Sequence, residues 1–97
     1  MDKKLTDKNL NKLAKLLQVS GDKSRLKILC LLFAKKKICV SMIARESGLS
    51  IANASHHLRV MARAGLLEPK KEGKEVCYFP VKSRLALDLK RFVCRHS

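Results

Sequence analysis

Ninety-seven residues allow one hydrophobic core of modest size, and they carry 22 lysines and arginines against 8 acids, a formal charge of +14. That surplus far exceeds what keeps a small domain soluble and implies a polyanionic partner. The basic residues run through every segment without aromatic anchors, and the longest apolar run, Ile28 to Ala34, is too short to span a bilayer, so nucleic acid is favoured over a membrane.

Thr6 is placed to cap a helix from about Asp7 to Val19, with Leu10, Leu13, Ala14 and Leu17 on its apolar face and Lys8, Lys12 and Lys15 on the solvated one. Gly21 breaks this helix, and Asp22 or Ser24 opens a second from Arg25 to about Lys35. There Leu26, Leu29, Cys30 and Phe33 form a stripe, and Ile28, Leu31 and Leu32 fill most of the remaining circumference; a helix apolar nearly all round belongs in the core. Lys35-Lys36-Lys37 reads as a basic loop and Ile38-Cys39-Val40 as a short apolar bridge.

Ser41 to Gly48 is a short helix ending in glycine, and Ser50 at once caps another that Gly65 terminates. In that second helix Ala54, Leu58, Met61 and Ala62 make a narrow apolar stripe, while Asn53, Ser55, His56, His57 and Arg59 leave a small, polar, basic face. A tight turn between two capped helices predicts a helix-turn-helix whose second member enters a major groove. After Gly65 the period changes: Leu66 to Glu72 and Lys74 to Pro80 are strand-like runs around Gly73, with Val76 and Tyr78 alternating with Cys77 and Phe79. Lys70, Lys71 and Lys74 cluster near the tip of this hairpin, as a wing reaching for backbone phosphates requires. Ser83 caps a last helix through Cys94, with Leu85, Ala86, Leu89, Phe92 and Val93 apolar. The expected fold is mainly α with a β-hairpin wing, a winged helix-turn-helix of order α-α-α-α-β-β-α filling residues 1–97 as one domain. Ser50, Asn53, Ser55, His56, His57, Arg59, Lys70, Lys71 and Lys74 are the candidate contacts to double-stranded DNA.

The N-terminus lacks the apolar core of a leader, so the chain reads as cytoplasmic, and its four cysteines are expected to be reduced at rest. No Gly-rich phosphate loop, paired carboxylates or nucleophile triad is present; Ser55 and His56 are helical neighbours pointing apart. No enzyme activity, catalytic residue or cofactor is therefore expected. A non-specific architectural DNA-binding protein would use the same charge, with a steep salt dependence and weak sequence discrimination.

Arg25-Leu-Lys-Ile-Leu, Leu49-Ser50, Ser55-His56-His57-Leu58-Arg59-Val60-Met61, Ala64-Gly65-Leu66-Leu67 and Glu72-Gly73-Lys74 together resemble the ArsR/SmtB winged-helix repressors over about Asp22 to Val81. The resemblance implies a homodimer packed through its first and last helices, a palindromic operator, and release by a small inducer. One departure concerns Ile51-Ala52, where the family often has Gln-Ser, so base contacts are expected to be less polar. Cys30 and Cys94 are similar in placement to the thiol pair of the sulfide- and persulfide-responsive, BigR- and HlyU-like branch, which makes a reactive sulfur species or oxidant the expected inducer. Core packing alone is an adequate reason for Cys30, whereas Cys94 is placed opposite the Leu85-Leu89-Phe92 stripe, on a second surface toward the second helix. Metal-sensing members often carry Cys-x-Cys where this chain has only Cys39, so no metal ligands are assigned. A metal ion remains the alternative inducer, held by Cys39 with residues of the first helix or the other subunit. Cys77 is expected to be a packing or surface residue.

Overall fold

A computed structural model describes residues 6–96. Among them the elements follow in the order α1 (Asp7–Ser20), α2 (Lys23–Lys35), β1 (Ile38–Cys39), α3 (Val40–Ser47), α4 (Ile51–Arg63), β2 (Leu67–Glu72), β3 (Glu75–Pro80) and α5 (Arg84–His96). Four helices start where a short polar side chain can take a first-turn amide. Thr6 Oγ1 accepts from Asn9 N–H at 3.2 Å, Asp22 Oδ1 from Arg25 N–H at 3.0 Å, Ser50 Oγ from Asn53 N–H at 3.1 Å and Ser83 Oγ from Ala86 N–H at 3.1 Å. Asp22, not Ser24, thus opens α2.

The core is built on α2, whose Ile28, Leu29 and Leu32 are fully buried, together with Ile43 of α3 and Ala54, Leu58 and Met61 of α4. The α4 stripe legible in the sequence is therefore the face that fixes this helix to the body. Its opposite face is left outward by elimination. The apolar face expected of α1 points away from the core: Leu16 and Val19 turn inward, while Leu10, Leu13 and Leu17 are 44, 39 and 56% exposed. A helix this rich in leucine has two apolar sides, and α2 and α4 cover only one.

Ile38-Cys39-Val40 is likewise more than a bridge. Ile38 and Cys39 form β1, an antiparallel edge strand that pairs with β3, giving a three-stranded sheet of order β1-β3-β2. Ile38 lies opposite Tyr78 and Cys39 opposite Cys77. β2 and β3 close as a hairpin with Glu72 opposite Glu75 around Gly73-Lys74, and Gly73 at φ 64° supplies the left-handed residue such a turn needs. β3 is central, so Cys77 and Tyr78 are both buried although they point to opposite faces.

Candidate nucleic-acid interface and cysteine sites

Gly48, left-handed at φ 69°, ends α3 through a backbone bond to Ala44, and Ser50 starts α4 two residues later. The short turn sets the two helices as a helix-turn-helix. With Ala54, Leu58 and Met61 inward, α4 presents Asn53, His56 and Arg59 as exposed side chains. Arg59 Nη1 donates to Ser55 Oγ at 3.1 Å, one turn back on the same face. This bond pre-orients the guanidinium, whose remaining donors match the acceptor edge of guanine or a phosphate. Ile51, 58% exposed, and Ala52 add an apolar patch to the first turn.

His57 is directed elsewhere. Half-buried, its Nδ1 accepts from Arg25 Nε at 3.2 Å, while Arg25 Nη1 reaches the Val19 carbonyl at 3.4 Å. The two side chains tie α4 to α2 and to the end of α1, so His57 holds the reading helix in place. Asp22 completes this corner: its carboxyl is held below the usual carboxylate range by the Arg25 backbone N–H, with the charge of Arg25 assisting.

Lys70, Lys71 and Lys74 are exposed on the hairpin. What the sequence did not reveal is how firmly this wing is fastened to the segment before α3. Lys37 Nζ pairs with Glu72 Oε1, Cys39 is disulfide-bonded to Cys77, and the Ser41 backbone N–H donates to Glu75 Oε1 at 2.9 Å. Lys37 and Cys39 on the extended entry and Ser41 in the first turn of α3 each meet the hairpin. Glu75 supplies from the wing the cap that Cys39, the N-cap residue of α3, does not. The Ser41 hydroxyl and then its N–H hold the Glu75 carboxyl below its ordinary range.

The cysteine expectations change accordingly. Cys77 is neither simple packing nor surface, and two of the four thiols are not reduced: Cys39 and Cys77, 38 residues apart, are joined with Cα atoms 3.9 Å apart. The cause is register, because antiparallel pairing puts these two residues directly opposite each other. Cys30, half-buried, and Cys94, exposed, are free. Cys30 packs at the margin of the core. Cys94 shares with Leu87 and Arg91 the exposed side of α5, whereas Ala86, Leu89 and Val93 form its buried side. Cys39, Cys77 and Glu75 also bring three potential metal donors within 4.8 Å of one another. Ile38-Cys39-Val40 is too short and too uniformly apolar to have announced this pairing.

Residues 22–68, the stretch from the Asp22 cap through the start of the wing, match the family model described as bacterial regulatory protein, arsR family. A Staphylococcus aureus protein named a cadmium resistance transcriptional regulatory protein CadC homolog is 37% identical over 76 residues, 78% of this chain and 63% of that protein. The chain thus spans less than two-thirds of that relative. An HTH-type transcriptional regulator of Methanocaldococcus jannaschii is 35% identical over 74 residues, 76% of this chain and 83% of that one. The solved structure of HlyU from Vibrio cholerae is similar with a TM-score of 0.83 and 29% identity, covering 93% of this chain and 96% of that chain. No helix among the described residues is long and apolar enough to cross a membrane. With the helix-turn-helix, the wing and these relatives in agreement, the chain belongs to the arsR family of bacterial transcriptional regulators.

Proposed function

We propose that the protein is a cytoplasmic repressor that binds a palindromic operator as a homodimer and is released through thiol chemistry at Cys30 and Cys94. The observation that carries the DNA reading is α4, pinned by its buried stripe and by the Arg25–His57 bond so that Asn53, His56 and Arg59 stand exposed beside Ser50 and Ser55. Lys70, Lys71 and Lys74 then serve the phosphate backbone. Homodimerisation is supported by exposed leucines at 10, 13 and 17 of α1 and by Leu87 and Phe92 of α5, on the two helices that the family resemblance assigns to the dimer.

The release step is chemically complete with an organic persulfide as oxidant. One thiolate attacks the terminal sulfur of R–S–SH, giving a cysteine persulfide and R–SH; the second thiol attacks the inner sulfur, expelling hydrogen sulfide and leaving a disulfide. Similarity to HlyU supports placing this chemistry at the two free cysteines, on helices α2 and α5 that pack together. The test is mass spectrometry of the protein after persulfide treatment, with operator binding followed in parallel. A Cys30–Cys94 crosslink formed as DNA binding is lost supports the reading; both thiols free with binding intact refutes it. A metal-responsive repressor is the second reading, supported by the relatives named for cadmium resistance and by the donors around Cys39.

A further inference from the structure

Cys39, Cys77 and Glu75 gather two sulfurs and a carboxylate away from the α4 reading face, and they share no residue with the Cys30/Cys94 pair. Backbone register alone assembles them. Glu75 and Cys77 are two apart on β3 and so share a face, and pairing sets Cys39 opposite Cys77. One ligand atom from each lies within 4.8 Å of the other two. We propose that, once the Cys39–Cys77 bond is reduced, these three residues bind one divalent cation of the zinc and cadmium class, and that bond and cation exclude each other.

The donor set selects this class of ion. Two thiolates and a carboxylate are zinc ligands, they disfavour magnesium and calcium, and three donors leave one tetrahedral position open. A dication cuts their formal charge from about −3 to about −1 and displaces protons as it binds, so affinity should rise with pH. Cys39 and Glu75 are also prepared for their charged forms. The Cys39 sulfur sits at the N-cap of α3, where the helix dipole favours an anion. Glu75 is already fixed by the Ser41 N–H, and an ionised carboxylate keeps further lone pairs for a metal. Cys77 is buried, which shields one side of the site from water.

Opening the site requires a two-electron reductant, such as a thiol. Two small-molecule thiols convert the cystine to two cysteines and leave as their own disulfide, and the cation then displaces the two cysteine protons. A loaded site ties β1 and the first turn of α3 to the wing, as the covalent bond does.

The experiment uses the chain with Cys30→Ser and Cys94→Ser, so that only this pair can supply sulfur. Reduced without oxygen and titrated with Co2+, it is expected to bind one ion per chain with sulfur-to-cobalt charge-transfer absorption and tetrahedral ligand-field bands, both displaced by Cd2+. The oxidised chain is expected to show neither. Outer-shell partners alone are worth about 10- to 100-fold in affinity. Glu75→Gln, which removes a ligand charge, should therefore weaken binding by at least about tenfold. Because Cys77→Ser alters a buried strand, alkylation of the reduced natural chain provides an independent measurement: Cd2+ should protect Cys39 and Cys77 and leave Cys94 reactive. Cobalt bound without charge transfer, a signal that survives Cys77→Ser, or unprotected Cys39 and Cys77 would each overturn the proposal.

Discussion

Reduction of the Cys39–Cys77 bond is the perturbation whose effect can be worked most directly. The bond closes a loop with a sequence separation of 38, and the folded state keeps its other wing contacts, Lys37–Glu72 and Ser41–Glu75, when the bond opens. The change therefore lies mainly in the unfolded chain, which regains the freedom the loop had removed. The chain-entropy relation for a loop of this length gives about 13 cal/mol/K, or about 4 kcal/mol at 25 °C. For a domain of this size 1 kcal/mol moves the melting temperature by about 4–8 °C, so reduction should lower it by about 15–30 °C. The assay is thermal unfolding with and without a phosphine reductant, on the Cys30→Ser/Cys94→Ser chain with chelator present to keep the site empty of metal. Midpoints agreeing within about 2 °C would refute the entropic argument, since a loop of this length then adds no constraint.

Four further outcomes are expected. Each lysine–phosphate contact contributes about 0.9 to the slope of log affinity against log salt, so Lys70→Ala/Lys71→Ala/Lys74→Ala should flatten it by up to about 2.7 per wing and weaken all sequences alike; an unchanged slope places the wing off the backbone. Ile51→Gln replaces the exposed apolar side chain in the first turn of α4, and selection from a randomised operator library should show a changed preference at one position of each half-site, worth about 1–3 kcal/mol; an unchanged consensus removes Ile51 from base contact. Asp22 has a carboxyl pKa lowered by folding, so its contribution is present above the ordinary value of about 3.9 and is lost as pH falls through the lowered one; Asp22→Asn should flatten the acid limb of urea midpoint against pH, and a parallel limb contradicts this. Ser20 is buried and its hydroxyl has no hydrogen-bond partner among the described residues, so Ser20→Ala should be neutral or stabilise by about 1 kcal/mol in urea unfolding, where a loss of stability would reveal a partner.

Local chemistry made most of this fold readable in the sequence. Caps at Thr6, Ser50 and Ser83 act on amides three residues away, and the α4 stripe follows from helical period alone, so these elements stand where their residues place them. The hairpin was legible for the same reason, since Gly73 permits the turn its neighbours' alternation requires. Contacts set by sheet register were not legible. Two residues of β1 are too few to display a period, and only their pairing with β3 brings together Cys39 and Cys77. The same holds for His57, whose place among the polar residues of α4 gave no indication that Arg25, 32 positions earlier, would engage its ring. On α1 the leucine pattern was real, but period alone did not say which apolar side meets the core. Leu10, Leu13 and Leu17 face outward, and the core takes Leu16 and Val19 instead.

The two cysteine pairs lie on parts of the molecule that do different work. Positions 87, 91 and 94 fall on one exposed side of α5, and Phe92 on the same helix is 63% exposed. In the proposed dimer a second copy that covers Leu87 settles beside Cys94, whereas Phe92 lies across the helix, so the proposed thiol chemistry acts at the Leu87 side of that interface. Cys39 and Cys77 instead lie within one subunit, between the entry to α3 and the central strand of the wing. Changes at the first pair should shift the monomer–dimer equilibrium, with operator affinity following through protein concentration. Changes at the second should leave dimer content as it was, because the apolar faces of α1 and α5 are untouched and the Lys37–Glu72 and Ser41–Glu75 contacts still hold the wing.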